Sequence, residues 1–410
     1  MIEYPNELNK IFDKLDKYAI KPIIIGGFVR DYLLNKTSKD IDIELYGISS
    51  LNLLQNILEE FGNVNNVGKS FGVCKLTLKN WEIDFSLPRR DSKVKVGHKG
   101  FEVQTDVNLD FKTATSRRDF TINAIGYDVK SKKILDPFNG QVDLNNSLLR
   151  AVDLEKFDED PLRVLRAIQF SSRFNLSLER NLHQKCEKMM QKSVLNELPK
   201  ERVFDEIKKL LLKSKKPSLG ILLLKDIQGF LYFEEFSSLS EVEFQTMLVA
   251  LDTIKPDTTL MLAVICTFFS QMKRTSFLSK LTNEVALIKN ILSLLNTSID
   301  LNNITDYTLY KLAMEVNIEE FLCYKNAMEL GINIQTLENI KNKAIELNVY
   351  NNKLKPFLQG RDIINIGLKP SKDFSTILNT AYEAQMRNEF TTYEDALIWL
   401  KKISFLWFFL

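Results

Sequence analysis

The chain has 410 residues, with 55 basic and 53 acidic side chains and a formal net charge of +2. This length predicts two to four domains, and an ordinary share of apolar residues, 45%, excludes a disordered or collagen-like chain. The near-neutral charge argues against bulk electrostatic coating of nucleic acid, but it allows a local basic surface.

Histidines and cysteines restrict the metal chemistry and the compartment. The two histidines, His98 and His183, cannot build a multi-histidine site, so any metal must be held by carboxylates. The four cysteines form no CxxC pair and the N-terminus shows no basic-then-apolar leader, which favours a cytoplasmic protein with reduced thiols. The most apolar run, residues 260–269, is about half of the ~20 residues that a membrane span needs, so no membrane partner is expected.

The first 140 or so residues mix helical and strand periodicities. Apolar residues at helical spacing in 8–15 predict a helix, and an apolar run at 22–25 that ends in two glycines predicts a buried strand turning into a helix. Alternation in residues 40–44 predicts a strand. Further alternating runs predict two hairpins, 73–78 with 81–86 and 125–129 with 134–135.

The remainder of the chain changes character. From about Asp153, apolar residues recur three and four apart, which predicts an essentially all-helical region. Two polar segments, 88–100 and 214–217, contain enough glycine, proline and charge to predict a mobile loop or a boundary.

Three aspartates are candidates for metal binding. Asp40 and Asp42 lie two apart on a predicted strand, so their carboxylates share one face about 6 to 7 Å apart, a spacing that can grip one or two magnesium ions. Such a pair alone is more often a solvated strand edge. Asp84, whose apolar neighbours point to the opposite face, could supply a third carboxylate, and a solvent-facing role explains it about as well.

A glycine pair precedes the aspartate strand. Gly26 and Gly27 lie at a strand-to-helix turn, where free backbone N–H groups attract phosphate, and Arg30 lies one turn into the helix. This segment could cradle a triphosphate. It is neither a Walker motif nor a dinucleotide fingerprint, and a glycine pair alone is more often a tight turn.

Three ordered motifs within 150 residues are specific in combination. They are GGFVRDYLLNKTSKDIDIE from Gly26, TSRRDFTINA from Thr115 and EDPLRVLRA from Glu159. Together they resemble the class II nucleotidyltransferases of the DNA polymerase beta superfamily, and within them the bacterial CCA-adding enzymes with their poly(A) polymerase relatives. Weaker similarity in residues 136–143, around Arg202 and in residues 360–400 extends the resemblance over nearly the whole chain.

The resemblance implies an α+β fold and a domain order. A catalytic nucleotidyltransferase head with a small mixed β-sheet and helices would occupy residues 1–140. An all-α, nucleotide-selecting neck would follow over 141–215, and a helical body and tail that binds tRNA over 216–410.

The resemblance also implies an activity and its site. The expected reaction is template-independent addition of CCA to the 3′ end of tRNA from CTP and ATP, with Mg²⁺ as cofactor. Asp40 and Asp42 would hold the metal and, with Asp84, form the catalytic set. The expected nucleotide-binding residues come from the three motifs: Gly26, Gly27, Arg30, Arg117, Arg118, Asp119, Asn123, Asp160, Arg163 and Arg166.

The third motif has a direct chemical interpretation. Asp160 can cap a helix that has Pro161 at its first position, which places Arg163 and Arg166 on the same side. A carboxylate accepts from N4 of cytosine or N6 of adenine while a guanidinium donates to the ring, so Asp160 with Arg163 can imitate a complementary base. Guanine and uracil would place an oxygen against the carboxylate and leave it unpaired. An ordinary cap with solvated arginines, like a surface ion pair in the RRD segment, is the simpler alternative, and the flanking motifs outweigh it.

One position departs from the family pattern. Many members have an arginine that contacts the nucleotide or a phosphate three residues after the position of Arg166. Here that residue is Gln169, with Arg173 a turn further on, and a neutral amide cannot replace a charge-assisted phosphate contact.

Several expectations concern RNA and the competing activities. Segment 88–100 lies where the resembled family has a flexible loop that is shortened in members adding only CC, so the resemblance implies full CCA addition. His98 within this segment is expected to be a loop donor, or to have no role, rather than a base. The 3′ end of the tRNA, with its acceptor stem and the upper half of the molecule, would be held through phosphates by basic residues concentrated on one concave face. A solvated helix face is the common alternative explanation for such lysines. The candidates are Lys208, Lys209, Lys213, Lys215 and Lys216.

Alternatives to full CCA addition remain open. A poly(A) polymerase ranks second and a partial CC-adding or A-adding enzyme third. A catalytically silent tRNA-binding protein and a small-molecule nucleotidyltransferase are less favoured, because the motif residues are intact and the helical extension is long. Two histidines are too few for the appended HD phosphohydrolase domain that some relatives carry.

Overall fold

The computed structural model describes residues 2–48, 50–65, 73–78, 81–93, 101–106, 108–328 and 333–407. These residues pack as two compact units, one formed by 1–238 with 280–282 and the other by 239–279 with 283–410. The predicted boundaries at 140 and 215 stay predictions, since packing alone does not test the division into head, neck, body and tail.

A mixed seven-stranded sheet organises the first unit, with the strand order β3-β4-β5-β2-β1-β8-β9. Its neighbours pair antiparallel, except that β2 and β5 run parallel. The strands and helices up to the second motif are α1 (Glu7–Lys17), β1 (Lys21–Ile25), α2 (Gly27–Leu33), β2 (Asp40–Tyr46), α3 (Leu51–Glu59), β3 (Val64–Asn65), β4 (Val73–Leu78), β5 (Trp81–Ser86), β6 (Arg89–Lys93), β7 (Phe101–Thr105) and α4 (Phe111–Thr115).

Helices dominate the rest of the chain. The remaining elements are β8 (Gly126–Asp128), β9 (Lys133–Leu135), α5 (Gly140–Asn145), β10 (Leu148–Leu149), α6 (Leu162–Phe174), β11 (Ser177–Leu178), α7 (Arg180–Gln191), α8 (Lys200–Lys213), α9 (Pro217–Asp226), α10 (Glu241–Thr253), α11 (Thr258–Cys266), α12 (Gln271–Leu281), α13 (Val285–Asn296), α14 (Asp306–Glu315), α15 (Ile318–Met328), α16 (Ile334–Glu346), α17 (Gly360–Asn365), α18 (Asp373–Met386) and α19 (Tyr393–Trp407). The α+β fold with a helical remainder is confirmed.

Local sequence explains the elements that carry the motifs. In β2 the alternation buries Ile41 and Ile43 in the core and leaves Asp40 and Asp42 open to solvent on the other face. In α6, apolar residues three and four apart bury one face, and Asn175 in the left-handed region ends the helix.

Two predictions from the polar segments meet different outcomes. Residues 214–217 do break the helical region, between α8 and α9. The mobile loop predicted over 88–100 is wrong at its start, because Arg89–Lys93 forms a strand that pairs antiparallel with Phe101–Thr105. The segment Arg89–Lys93 contains no apolar residue, so the apolar alternation that identifies strands is absent from its sequence. Residues 94–100, including His98, lie outside the described residues.

The apolar run at 260–269 lies largely in α11, whose residues are buried almost without exception, as a core helix should be. Across the described ranges, no helix combines the length and the apolarity needed to cross a membrane.

Candidate active site

The parallel pair β2 and β5 brings the three candidate aspartates onto one face of the sheet. In their register Asp42 lies beside Asp84 and Asp40 beside Glu82, and residues two apart on a strand share a face. Asp84 Oδ2 lies 3.3 Å from Lys75 Nζ, whereas its Oδ1 is buried and has no hydrogen-bond partner within the described residues. A buried carboxylate oxygen without a partner costs free energy unless a ligand satisfies it.

The charge around Asp42 is crowded. Desolvation by the surrounding protein raises the pKa of Asp42, the positive charge of Arg118 opposes this, and the neighbouring carboxylates of Asp84 and Asp40 raise the pKa further. Carboxylate oxygens in this arrangement are the hard donors that a divalent cation prefers. Within the described ranges, however, no three acidic, histidine or cysteine side chains are already gathered as a metal cage. The chemistry of these oxygens nevertheless fits a divalent cation.

Gly26 makes room for an arginine at the end of β1. Its φ of +68° turns the chain into α2, and its N–H donates to the Ile125 carbonyl at 3.0 Å. A Cβ added to Gly26 would lie 2.6 Å from Nη1 of Arg118. The backbone turn favours glycine here, and a side chain at this position would also displace the Arg118 guanidinium.

Arg118 is the least satisfied cation of the site. Its Nε is buried without a partner, and its guanidinium forms no hydrogen bond with any residue that the structure describes. Burial, followed by repulsion from Arg117, lowers its pKa, while the charges of Glu44 and Asp42 oppose that shift. Since a guanidinium stays charged at neutral pH, its donors are available to an anion. We call the space bordered by Asp42, Asp84, Gly26 and Arg118 the recess.

Glu44 is a residue of this site that the sequence analysis missed. It is fully buried on the strand of Asp40 and Asp42, accepts from Arg117 Nη2 at 3.2 Å and accepts from the Tyr46 hydroxyl at 2.6 Å. The available signal was the third acid of DIDIE, at the same two-residue spacing as the aspartates. Its charge holds Arg117 in place and balances the neighbouring guanidinium of Arg118.

Asp119 joins the sheet to α6. Its Oδ1 accepts from the Asn123 side chain at 3.0 Å and from the Phe120 N–H at 2.9 Å, and its Oδ2 accepts from Arg166 Nε at 2.7 Å. Burial alone would raise the pKa of Asp119, but the charge of Arg166 and these hydrogen bonds outweigh it, so the pKa is lowered. Both oxygens of this carboxylate are therefore used within the protein.

The same network continues to the glycine turn. Arg30 is buried, and its Nη1 donates to Asn123 Oδ1 at 2.6 Å. Its Nε and Nη2 donate to Asp31 Oδ1 at 2.9 and 2.7 Å. Residues of all three motifs are thus joined, from Arg30 through Asn123 and Asp119 to Arg166.

The start of α6 lies one residue later than predicted, because Pro161 is the N-cap and not the first helical residue. Asp160 Oδ1 accepts from the Leu162 N–H at 3.1 Å, and its Oδ2 lies 3.5 Å from Arg202. Arg163 donates to the carbonyls of Lys156 at 2.8 Å and Arg117 at 3.0 Å. Both side chains are only partly exposed, so their orientation is set by the protein before any ligand binds.

Gln169, at the position that departs from the family pattern, lies inside the protein. It is 2% exposed, and its Nε2 donor has no partner within the described residues. Nothing in the structure explains the choice of glutamine here.

Comparisons with known proteins agree with this architecture. Residues 23–150 match the family described as the poly A polymerase head domain, and residues 175–238 match the probable RNA and SrmB-binding site of polymerase A. Curated relatives include a multifunctional CCA protein from Pseudoalteromonas atlantica, 37% identical over 46% of this chain and 45% of its own length. A CCA-adding enzyme from Francisella tularensis is 32% identical over 51% of this chain and 56% of its own length. The chain thus spans about half the length of the curated relatives it matches.

Solved structures share the fold over almost the whole chain. The Bacillus stearothermophilus CCA-adding enzyme in complex with CTP superimposes with a TM-score of 0.74 at 20% identity, covering 98% of both chains. The Thermotoga maritima CCA-adding enzyme complexed with tRNA gives a TM-score of 0.64 at 22% identity, covering 98% of this chain and 96% of the other. The predicted resemblance to class II CCA-adding enzymes is confirmed.

Proposed function

Because residues 23–150 belong to the poly A polymerase head-domain family, we propose that this chain adds CCA to the 3′ end of tRNA from CTP and ATP, releasing pyrophosphate. The observation that carries the proposal is the unsatisfied guanidinium of Arg118 beside Asp42 and the partnerless oxygen of Asp84, both among the described residues. A triphosphate with its divalent cation supplies the charges and ligands that both groups lack. Support also comes from relatives named CCA-adding enzymes and from fold neighbours solved with CTP and with tRNA. The compartment proposed for this reaction is the cytoplasm.

The metal is proposed to be Mg²⁺, since the family generally uses a divalent metal and the donors are hard oxygens. Asp40 and Asp42 would hold it, with Asp84 as a third carboxylate. When bound, it would stabilise negative charge on the triphosphate and on the attacking 3′ oxygen.

The protein's own part is positioning. Gly26 and Gly27 let the backbone approach the phosphates at the start of α2, and the donors of Arg118 face the recess. Arg117, held by Glu44, keeps positive charge beside them. The bond that forms joins the RNA 3′ oxygen to the α-phosphorus, and the bond that breaks releases pyrophosphate.

Nucleotide choice is assigned to the start of α6. Asp160 would accept from the exocyclic amine of cytosine or adenine, and Arg163 would donate to the adjacent ring positions. Asp119 and Arg166 fix the helix against the sheet, so the two side chains keep their orientation. A guanine or uracil oxygen would face the carboxylate and leave it without a donor.

A primer assay tests the activity. tRNA ending in the discriminator base, in C, or in CC is given each labelled triphosphate separately, and the nucleotides added are counted. Full CCA addition predicts two cytidines and one adenosine; a long adenosine tail would identify a poly(A) polymerase, and arrest after CC or inability to add C would identify a partial enzyme.

Two variants test the site. Asp40→Ala should abolish incorporation while RNA binding stays measurable, and Asp13→Ala, which removes an exposed carboxylate from α1, should change neither. Retained turnover in Asp40→Ala would reject the assigned carboxylates. Asp160→Ala with Arg163→Ala should relax the choice among the four triphosphates, and unchanged discrimination would remove the base-imitation argument.

A further inference from the structure

The last turn of α6 carries an aromatic ring surrounded by cations. The ring centroid of Phe174 lies 4.4 Å from Arg30 Cζ, 4.5 Å from Lys36 Nζ and 4.9 Å from Arg173 Cζ. Phe170 stacks on the same ring at 5.8 Å with an interplanar angle of 14°. All three charged groups lie close to the same ring centroid. They are therefore within about one Debye length, about 8–10 Å, of one another.

Negative charge at this cluster is insufficient. Asp31 is the nearby acid, and its Oδ1 already accepts two hydrogen bonds from Arg30. Lys36, Arg173 and Lys215 form no ion pair within the part of the chain that the structure describes. Desolvation lowers the pKa of Lys36; the charge of Asp31 opposes this, and repulsion from Arg173, Lys215 and Arg30 lowers the pKa further.

Lysines of the same region that lie elsewhere are neutralised. Lys208 Nζ lies 3.1 Å from Asp205, and Lys209 Nζ lies 2.7 Å from Glu206. These two lysines, predicted from the sequence as RNA contacts, are thus paired with acidic residues of their own helix. Lys215 instead adds its charge to the cluster at Phe174. Lys208 and Lys209 are therefore weaker candidates for an RNA contact than Lys215, whose charge adds to those at the end of α6.

The segment after α8 is tied to this cluster and holds a further unsatisfied group. Ser172 donates to the Lys216 carbonyl at 3.0 Å, which fixes the connection between α8 and α9 against the end of α6. The Ser214 hydroxyl in that connection is buried without a hydrogen-bond partner within the described residues. Several cations close to one another can satisfy the charge of a phosphate group.

The cluster lies away from the proposed base contact. Asp160 and Phe174 lie at opposite ends of α6, roughly 20 Å apart at 1.5 Å per residue. Lys36, Arg173 and Lys215 are also not among the residues proposed to bind the nucleotide, although Arg30 contacts the same ring. Lys36 and Lys215 are exposed to solvent, as a surface that receives a backbone phosphate must be.

We propose that the cluster of Lys36, Arg173 and Lys215 at Phe174 binds a backbone phosphate of the RNA substrate. This inference rests on the proposed function, since it adds a contact for the same RNA. An inorganic phosphate or pyrophosphate ion presents the same chemistry, so the experiment includes it as a separate arm.

The test replaces three charges at once. Lys36→Gln, Arg173→Gln and Lys215→Gln are combined, and the control combines Lys10→Gln, Lys17→Gln and Lys132→Gln, which removes three exposed charges from the same unit. Affinity for tRNA that ends before CCA is measured between about 50 and 200 mM salt, an interval over which phosphate contacts weaken steeply. The cluster variant should bind on the order of tenfold more weakly and show a salt slope shallower by roughly 1 for each phosphate that it ceases to bind, whereas the control should match the wild type.

Two further measurements separate the possible outcomes. The KM for CTP on a saturating primer should be unchanged in the cluster variant, because the variant keeps Arg30 and every other residue proposed to bind the nucleotide. The Tm of the variant and of the wild type is measured with and without inorganic phosphate. If phosphate raises the Tm of the wild type but not of the variant, while both bind RNA equally, the cluster binds free phosphate. That result would overturn the RNA assignment. Equal RNA affinity and equal phosphate response would overturn the site altogether. Failure of the wild type to extend any primer would instead reject the proposed function.

Discussion

Gly26→Ala separates the two reasons for glycine at the end of β1. The φ of +68° with ψ of −124° is a combination that residues with a Cβ avoid, at a cost of about 1–3 kcal/mol. The added Cβ would also lie 2.6 Å from Arg118 Nη1. That nitrogen ends a flexible side chain, so the guanidinium can move to relieve the clash. The backbone strain should therefore lower the stability of the variant. The displaced guanidinium should weaken nucleotide binding.

The magnitudes follow from the size of the unit. A loss of about 1–3 kcal/mol in a unit of this size lowers Tm by roughly 2–12 °C. Calorimetric or fluorescence-detected melting of the purified variant measures this shift. The Michaelis constant for CTP in the primer assay reports the displacement of Arg118, and it should rise by roughly ten- to hundredfold, as for loss of one charge-assisted hydrogen bond of about 1.5–3 kcal/mol.

Gly27→Ala is the matched control, one residue along the chain. Gly27 starts α2, and a Cβ there would meet only Arg30 Nη2, at the ordinary distance of 3.5 Å, among the described residues. Replacing glycine by alanine in a compatible conformation stabilises a protein by about 0.4–1 kcal/mol, so its Tm should stay or rise. If Gly26→Ala melted like Gly27→Ala and kept the wild-type KM, neither the strain nor the clash would be real.

Two further changes probe the support of the recess. Glu44→Gln keeps an acceptor for Arg117 but removes the buried charge, so the free energy of unfolding measured in urea should fall by about 1–3 kcal/mol. An unchanged urea midpoint would contradict a role of Glu44 in balancing the charge of the arginines. Gly140→Ala would place a Cβ 2.4 Å from the Thr121 carbonyl oxygen in the turn that carries Asn123, and such overpacking typically costs about 1–3 kcal/mol. Its melting curve should shift accordingly, and a Tm equal to that of the wild type would show that the turn yields without strain.

The local features of the site could be predicted from sequence. The alternation in residues 40–44 identifies a strand with both aspartates on one face, and the Asp-Pro pair at 160–161 identifies the start of α6. These features depend on periodicity and capping, which act over a few residues. The roles assigned to these residues stay predictions until the variants are measured.

The features that could not be predicted depend on contacts between distant segments. Nothing local indicates that β5 runs parallel to β2, and only this pairing brings Asp84 beside Asp42. The burial of Glu44 and the approach of Arg118 to Gly26 likewise arise from packing over 73 and 92 positions of sequence. Sequence alone could not show which lysines are paired, so Lys208 and Lys209 stood among the RNA candidates on equal terms with Lys215.

The hydrogen bonds between the RRD segment and α6 also determine where this chain can be recombined with a relative. Asp119 and the Arg117 carbonyl lie before residue 150, and their partners Arg166 and Arg163 lie after it. A chimera joined near residue 150 would pair a foreign helix with these groups and leave a buried carboxylate to find a new donor. A junction at Ser238, where the first compact unit ends, leaves both contacts within one parent. Exchange of the RRD segment and α6 between homologues should therefore succeed only when they are transferred as one block.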